Sequence, residues 1–183
     1  MSKAYDSVNA DLLQKALQRI QFPPQLIQII LNLLSDCSNQ IITNFGLTQS
    51  YTVKNGIDQG ETITPLLWRI YYDPLIYQIA EKHQGYDLEA FWITDLKTKK
   101  TNHLQTSTSV LAYMDDTLWI APSKNKLEQI LQLASSFFTM ANIQVNPLKS
   151  VLNTNSKSPS SIHFIQHTIT PQSKHTLFKF LGY

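Results

Sequence analysis

The chain has 183 residues, of which 43% are hydrophobic, so it can bury the core of one ordinary domain or of a fragment of a larger one. Only 15% are charged, and the formal net charge of +2 permits a polyanionic partner without indicating one. The single cysteine, Cys37, excludes an intramolecular disulfide and a cysteine-cluster zinc site. No apolar run is long enough to cross a bilayer, and residues 2–6 lead into no signal-peptide stretch. These features predict an intracellular protein, nuclear or cytoplasmic, that is not secreted and has no transmembrane segment.

The hydrophobic periodicity predicts a mixture of helices and strands in a single domain without repeats or linkers. Helices are predicted at 9–19, 25–34, 65–82 and 126–141, with Asn9 and Thr64 as caps and with Pro74 kinking the third helix without ending it. Strands are predicted at 40–45, 51–55, 88–94, 106–113, 117–121, 162–170 and 175–181. Because helices and strands do not alternate regularly, the pattern favours an α+β fold over a doubly wound sheet.

The segment 111–120 carries two adjacent carboxylates, Asp115 and Asp116, in a short turn between two apolar strands. An aspartate pair in a turn is by itself most often a turn former. The apolar flanks, however, predict a sheet buried on both faces, where neighbouring carboxylates repel each other unless a cation neutralises them. A hard divalent ion such as Mg²⁺ would serve this purpose.

The segment 56–68 places two glycines and a polar turn directly before a predicted helix. A helix N-terminus offers unpaired backbone N–H groups and a positive dipole end to an anion such as a triphosphate. The signal is weak alone, because glycine-rich loops precede many helices for steric reasons. Three shorter segments, 3–8, 146–150 and 178–182, individually suggest only a frayed terminus, a turn and a strand end.

The order of these segments is more specific than any one of them. Along the chain they read KAYDSV, GIDQG with TPLLW, YMDD, NPLKS and FKFLG. This series resembles motifs A to E of the reverse transcriptase palm, most closely in LINE-type, non-LTR retrotransposons. The resemblance implies that 1–183 is a partial reverse transcriptase domain, with an antiparallel sheet carrying the 113–117 hairpin and backed by helices. It also implies RNA-directed DNA synthesis, with an RNA template, a DNA primer and deoxynucleoside triphosphates as partners.

The resemblance assigns catalytic roles to three residues. Asp115 and Asp116 match the motif C carboxylates, which would hold two Mg²⁺ ions, with Mn²⁺ as an alternative, between the primer 3′-hydroxyl and the α-phosphate. Lys149 matches the motif D lysine that protonates the pyrophosphate leaving group. A solvated lysine after a proline turn is the alternative interpretation of Lys149.

The resemblance also implies a nucleotide site and a primer grip. Tyr5 matches the motif A aromatic residue that excludes a 2′-hydroxyl, and Gln59 and Gly60 match the motif B turn over the incoming nucleotide. The implied primer grip comprises Phe178, Lys179 and Gly182.

The sequence departs from the family pattern at motif A. The family reads Asp-x-x-Lys-Ala-aromatic-Asp, so the first aspartate, a metal ligand, would fall directly before Met1. Asp6 cannot replace it, because six residues span about 20 Å in a strand or about 9 Å in a helix. In motif B, Asp58 stands where the family usually has a basic residue. The isolated fragment is therefore expected to be inactive.

Two other interpretations stay open: a non-catalytic remnant with at most weak nucleic-acid binding, and a related palm such as that of a group II intron maturase. Fingers and thumb regions are expected to be missing. Their loss is expected to leave apolar helix faces exposed, such as that of Ile27, Ile30 and Leu34.

Overall fold

The computed structural model describes residues 4–35, 37–52, 55–58, 60–82, 85–95 and 97–173. Its helices are α1 (Ala10–Arg19), α2 (Pro24–Leu34), α3 (Thr64–Glu81) and α4 (Lys124–Met140). All four confirm the predicted helices within two residues at each end. Short 3₁₀ turns lie at Tyr5–Ser7 and Pro147–Lys149. Together with small antiparallel sheets, these elements confirm the α+β class.

Helix α1 begins as the sequence predicts. The Asn9 side-chain oxygen accepts hydrogen bonds from the backbone N–H groups of Asp11 at 2.9 Å and Leu12 at 3.2 Å. These bonds satisfy amides that have no partner within the helix. At the other end, Arg19 forms an ion pair with Asp73 of α3. Helix α3 continues through Pro74, as predicted.

Helix α2 begins at Pro24, a position that suits proline because the missing N–H would lack a helical partner there. The prediction that Ile27 and Ile30 are exposed is wrong, because these side chains are only 5% and 8% exposed. The apolar residues on the exposed side of this helix are Leu26, Ile29 and Leu33. Gln25, Gln28 and Asn32 lie on the opposite, exposed side of α2, so the sequence marks the side of Ile27 and Ile30 as the apolar one, and other parts of this chain cover it.

The described strands pair in five two-stranded antiparallel sheets. The strands are β1 (Ser38–Asn39), β2 (Ile42–Thr43), β3 (Gly46–Leu47), β4 (Tyr51–Thr52), β5 (Tyr86–Asp95), β6 (Lys100–Thr108), β7 (Val110–Tyr113), β8 (Asp116–Trp119), β9 (Ile162–Phe164) and β10 (His167–Ile169). The pairs are β1–β4, β2–β3, β5–β6, β7–β8 and β9–β10. A wider palm sheet stays a prediction.

Two predicted strands are in fact hairpins. The 40–45 segment turns after Thr43, whose hydroxyl accepts from the Phe45 N–H at 3.2 Å and donates to the Gly46 carbonyl at 2.7 Å. The 162–170 segment turns at Ile165, which has a positive φ of 57°, so β9 pairs back onto β10. The first turn carries the turn residues Asn44 and Gly46, whereas the second, at Ile165 and Gln166, has no comparable sequence signal.

The predicted strand at 106–113 is divided at Ser109, a buried residue between β6 and β7. Its carbonyl accepts a hydrogen bond from the Ile120 N–H at 2.9 Å, so the chain changes its pairing partner there. The strand predicted at 51–55 ends at Thr52 within the described residues, and the one at 175–181 lies outside them.

The chain divides into two compact units. The N-terminal unit comprises the described residues of 2–74 and 138–144, and its core includes Leu13, Leu17, Trp68, Tyr71, Tyr72 and Phe138. The C-terminal unit comprises those of 75–137 and 145–183, and its core includes Leu75, Ile79, Ile130, Leu131 and Ala134. Among the described residues, no helix combines the length and the apolarity needed to span a membrane.

Candidate active site

The carboxylates of motif C lie at the tip of the β7–β8 hairpin in the C-terminal unit. Tyr113 and Asp116 are directly paired across the two strands, and Met114 and Asp115 form the turn between them. Met114 has a positive φ of 53°, which allows the chain to reverse within two residues. The structure therefore presents Asp115 and Asp116 together on a tight turn, as the sequence predicts.

The burial predicted for this hairpin is wrong. Leu111 is 48% exposed and Tyr113 is 61% exposed, and both aspartates are exposed. Water can therefore solvate the two carboxylates, and their repulsion does not by itself require a bound cation. The argument for a metal at Asp115 and Asp116 consequently depends on the donor chemistry and on the family pattern, not on burial.

Lys149 ends a short 3₁₀ turn in the same unit. Asn146 caps this turn, accepting a hydrogen bond from the Leu148 N–H at 3.1 Å through its side-chain oxygen. The Ser150 hydroxyl donates to the Asn146 carbonyl at 2.8 Å and holds the following residue. Lys149 itself is exposed, which suits both a proton donor to a bound ligand and a solvated lysine.

In the N-terminal unit, the segment that contains Tyr5 packs directly against the start of the glycine loop. The Gly56 N–H donates to the Val8 carbonyl at 2.9 Å, and the Ile57 N–H donates to the Tyr5 carbonyl at 3.1 Å. Gly56 has a φ of +105°, and a Cβ there would lie 3.1 Å from the Asp6 Cα. The structure thus brings the Tyr5 segment and the glycine loop together through a close approach that favours glycine.

An aromatic cluster of α3 supports the Tyr5 ring. Trp68 meets Tyr5 edge-on with the centroids 5.7 Å apart, and it stacks on Tyr72 at 5.5 Å. Tyr71 lies 6.0 Å from Trp68, and its hydroxyl accepts a hydrogen bond from the Asn9 N–H at 3.5 Å. Burial raises the pKa of Tyr71, although the hydrogen bond from Asn9 acts in the opposite direction. In the sequence, the signal for this support is the spacing of three aromatic residues by three and four positions.

A hydrogen bond from Thr64 links the start of α3 back to the glycine loop. The Thr64 hydroxyl donates to the Asp58 carbonyl at 2.5 Å, and the side chain is only 2% exposed. The helix begins at Thr64 itself, one residue earlier than predicted. Gly60 is exposed with a φ of +99°, and Asp58 is also exposed. Gln59 and the predicted primer grip, Phe178, Lys179 and Gly182, lie outside the described residues.

Comparison with known proteins gives a match over the whole length. The family described as "Reverse transcriptase (RNA-dependent DNA polymerase)" matches residues 1–183. The chain belongs to the reverse transcriptase family. It is also similar to the "Retrovirus-related Pol polyprotein from type-1 retrotransposable element R2" of Popillia japonica, with 20% identity over 147 residues. This alignment covers 80% of the chain and 22% of the polyprotein, so the chain matches about a fifth of that relative's length. The two matches confirm the resemblance to reverse transcriptases of LINE-type elements.

A reverse transcriptase is by family an RNA-directed DNA polymerase, and the family generally uses divalent metal ions and binds nucleic acid. In the part of the chain that the structure describes, no three histidine, cysteine, aspartate or glutamate side chains cluster as a metal site. The adjacent carboxylates of Asp115 and Asp116 nevertheless suit Mg²⁺, because this ion is commonly bound by one or two carboxylates together with waters and substrate phosphates. The donor chemistry at the hairpin tip therefore fits the ion that the family implies.

Proposed function

We propose that this chain is the palm of a reverse transcriptase that extends a DNA primer on an RNA template. The primer 3′-oxygen would bond to the α-phosphorus of a deoxynucleoside triphosphate while the bond to pyrophosphate breaks and the hydroxyl proton is lost. One observation carries the proposal: a chain matched by the reverse transcriptase family presents two adjacent carboxylates on the tight turn of an exposed hairpin.

Asp115 and Asp116 would hold the divalent ions in this scheme. When bound, Mg²⁺ supplies positive charge to the attacking and leaving oxygens of the transfer. Because Asp115 lies in the turn and Asp116 begins β8, the two side chains leave the backbone at consecutive positions and give the site two oxygen-bearing groups. The family pattern adds a third carboxylate directly before Met1, outside the 183 residues, so the proposed catalytic site includes a residue from that position.

The remaining predicted residues would bind substrates. Tyr5, held by Trp68, would exclude a 2′-hydroxyl by steric contact, since a rigid ring discriminates by shape and takes no part in the chemistry. Lys149 would donate a proton to the leaving pyrophosphate. The glycine loop with Gln59 and Gly60 would cover the incoming nucleotide, and Phe178, Lys179 and Gly182 would hold the primer end.

A paramagnetic ion tests the metal site without requiring catalysis. Substoichiometric Mn²⁺ is added to isotope-labelled protein, and the broadening of amide NMR signals is mapped along the chain. The proposal expects the strongest broadening at 113–118, and its loss in Asp115→Asn/Asp116→Asn. The matched control is Asp87→Asn, which removes an exposed carboxylate from β5 and should leave the broadening at 113–118 unchanged. Broadening that avoids 113–118, or that survives the double substitution, would favour the non-catalytic remnant.

A further inference from the structure

The β5–β6 hairpin is the longest pair of strands in the described chain. Its register runs from Tyr86 opposite Thr108 to Asp95 opposite Lys100, with an irregularity between Ile93 and Asp95. Nine residues of a strand span about 30 Å. Nearly every described side chain of the two strands is exposed, on both faces of the ribbon. A two-stranded ribbon without a packed face is only marginally stable in water, so a ligand that covers it would also stabilise it.

The two faces of this ribbon differ in chemistry. One face carries large apolar side chains that are 46–54% exposed: Tyr86, Leu88, Trp92 and Leu104. The opposite face carries Phe91, whose ring stacks on His103 at 5.7 Å with the planes at 16°. His103 also lies 3.8 Å from the Glu89 carboxylate. Aromatic rings are therefore available to a ligand on both sides of the ribbon.

The tip of the ribbon is basic. The six residues 95–100 contain Lys97, Lys99 and Lys100 against the single acidic residue Asp95. All three lysines are exposed. This excess of positive charge is confined to the tip, because Asp87 and Glu89 on β5 make 86–108 formally neutral as a whole, and at the tip it is complementary to a polyanion.

The base of the ribbon is joined to the hairpin that carries Asp115. One residue, Ser109, separates β6 from β7, and its carbonyl accepts from the Ile120 N–H at 2.9 Å just after β8. Just before β5, the Gly85 backbone packs closely against the end of β6, because a Cβ on Gly85 would lie 2.7 Å from the Thr108 carbonyl carbon and oxygen. The base of the ribbon therefore lies one residue along the chain from the hairpin that carries Asp115.

From these observations we propose that the β5–β6 ribbon is an arm that binds single-stranded RNA. Phosphate groups contact the lysines of the tip, and unpaired bases stack on exposed rings such as Trp92. Stacking of this kind tolerates any sequence, because every base has an aromatic face. With about 30 Å of length, the arm is long enough to follow several nucleotides. Because binding needs neither metal nor nucleotide, the proposal does not depend on the proposed polymerase activity.

Fluorescence anisotropy with a labelled 20-nucleotide poly(U) RNA tests the charged tip, using the full chain in EDTA over a range of salt concentrations. In Lys97→Gln/Lys99→Gln/Lys100→Gln, binding should weaken, and the slope of log K against log salt should fall in magnitude by about 2. The matched control removes three exposed lysines away from the tip: Lys15, Lys82 and Lys157. Its slope should change by less than half as much. Equal changes in the two variants would overturn the proposal.

A second pair of variants tests stacking on the ribbon face. Trp92→Ala should weaken poly(U) binding by about 5- to 150-fold, the range for removing one ring that stacks on a base. Leu104→Ala removes a similarly exposed apolar side chain from the same face and should weaken binding less than threefold. Equal losses in both variants would overturn stacking on Trp92. A monomer–dimer equilibrium that depends on Trp92 while RNA binding is unchanged would instead assign the face to a second copy of the chain.

Ultraviolet crosslinking of the unmodified chain to the same RNA avoids any dependence on variant folding. The proposal expects crosslinked peptides from 86–108, and their absence would overturn it. The Mn²⁺ broadening at 113–118 separates this inference from the proposed function, because the lysine and Trp92 variants should leave that broadening unchanged.

Discussion

The rings of Tyr5 and Trp68 meet edge-on, with their centroids 5.7 Å apart and their planes at 71°. Trp68 is buried in α3 and stacks on Tyr72, so its indole is fixed by packing. Edge-to-face aromatic pairs contribute about 0.5–1.5 kcal/mol beyond the burial of their area. The ring proposed to select the nucleotide sugar is therefore held in place by a core residue about sixty positions further along the chain.

Replacing this tryptophan should weaken the fold strongly. Trp68→Ala should lower the free energy of unfolding by about 3–5 kcal/mol, because it leaves a large cavity among packed rings. The control is Trp92→Ala, which removes the same side chain from the exposed β5–β6 ribbon and should lower it by less than about 1 kcal/mol. Urea unfolding followed by far-UV circular dichroism measures both, and similar losses would show that the aromatic cluster is not part of the stable core.

Alanine substitutions at Gly56 and Gly60 distinguish the cost of a steric contact from the cost of backbone strain. Both have positive φ values, +105° and +99°, so alanine is strained at either position by about 1 kcal/mol or more. Only at Gly56 would the new Cβ also press on the Asp6 Cα at 3.1 Å and the Tyr5 carbonyl oxygen at 3.2 Å. Gly56→Ala should therefore lower the melting temperature more than Gly60→Ala, and the reverse order would contradict the contact between motifs A and B.

The hydroxyl of Thr64 should stabilise the motif B loop. Thr64→Val keeps the shape of the side chain but removes the donor from a partly buried hydrogen bond to the Asp58 carbonyl, so unfolding should become easier by about 1 kcal/mol. Thr64→Ser keeps the hydroxyl and should lose less. Thr62→Val, at an exposed position two residues earlier, serves as the matched control and should change the free energy of unfolding by less than about 0.5 kcal/mol. Chemical denaturation measures the series, and a Thr64→Val protein as stable as the original would contradict the role of the bond.

Burial of Tyr71 should make the fold sensitive to high pH. Its folded-state pKa is raised above the ordinary value of 10.0, so above that pH the unfolded chain holds fewer protons at this group than the folded chain. The contribution of Tyr71 to the free energy of unfolding is therefore fully present below pH 10.0, and it is lost as the pH rises through the raised pKa of Tyr71. Urea midpoints between pH 8 and pH 11 should fall less steeply in Tyr71→Phe than in the original chain, whereas Tyr77→Phe, at an exposed position, should match the original. Identical slopes in all three proteins would contradict the burial effect.

The parts of the fold that depend on local interactions could be predicted from the sequence. The Asn9 cap and the turn at Asp115 are set by residues within three or four positions of each other, and both occur where predicted. Packing could not be predicted in the same way. Gln25, Gln28 and Asn32 mark the opposite side of α2 as the exposed one, but the sequence does not show that other parts of this chain cover Ile27 and Ile30.

The candidate site likewise combines local features that the sequence predicts with packing that it does not predict. The carboxylate pair lies in one short segment, so the sequence predicts its place, but it overstates the burial of β7, in which Leu111 is exposed. The hydrogen bond from Gly56 to Val8 joins segments about fifty residues apart, and only the order of the motifs indicated that they belong together. Trp68 was missed because a tryptophan at helical spacing predicts a core residue without showing which ring it supports.

The central claim is that Asp115 acts in nucleotidyl transfer, and primer extension measures this most directly. The protein for this assay carries a reverse transcriptase fingers region ending in Asp directly before Met1, together with a thumb after Tyr183. With a primed RNA template, deoxynucleotides and Mg²⁺, we predict template-dependent extension that falls at least 100-fold in Asp115→Asn and is unchanged in the control Asp87→Asn. A correctly folded chimera that extends no primer, or one that extends it equally well with Asp115→Asn, would contradict a catalytic role for Asp115.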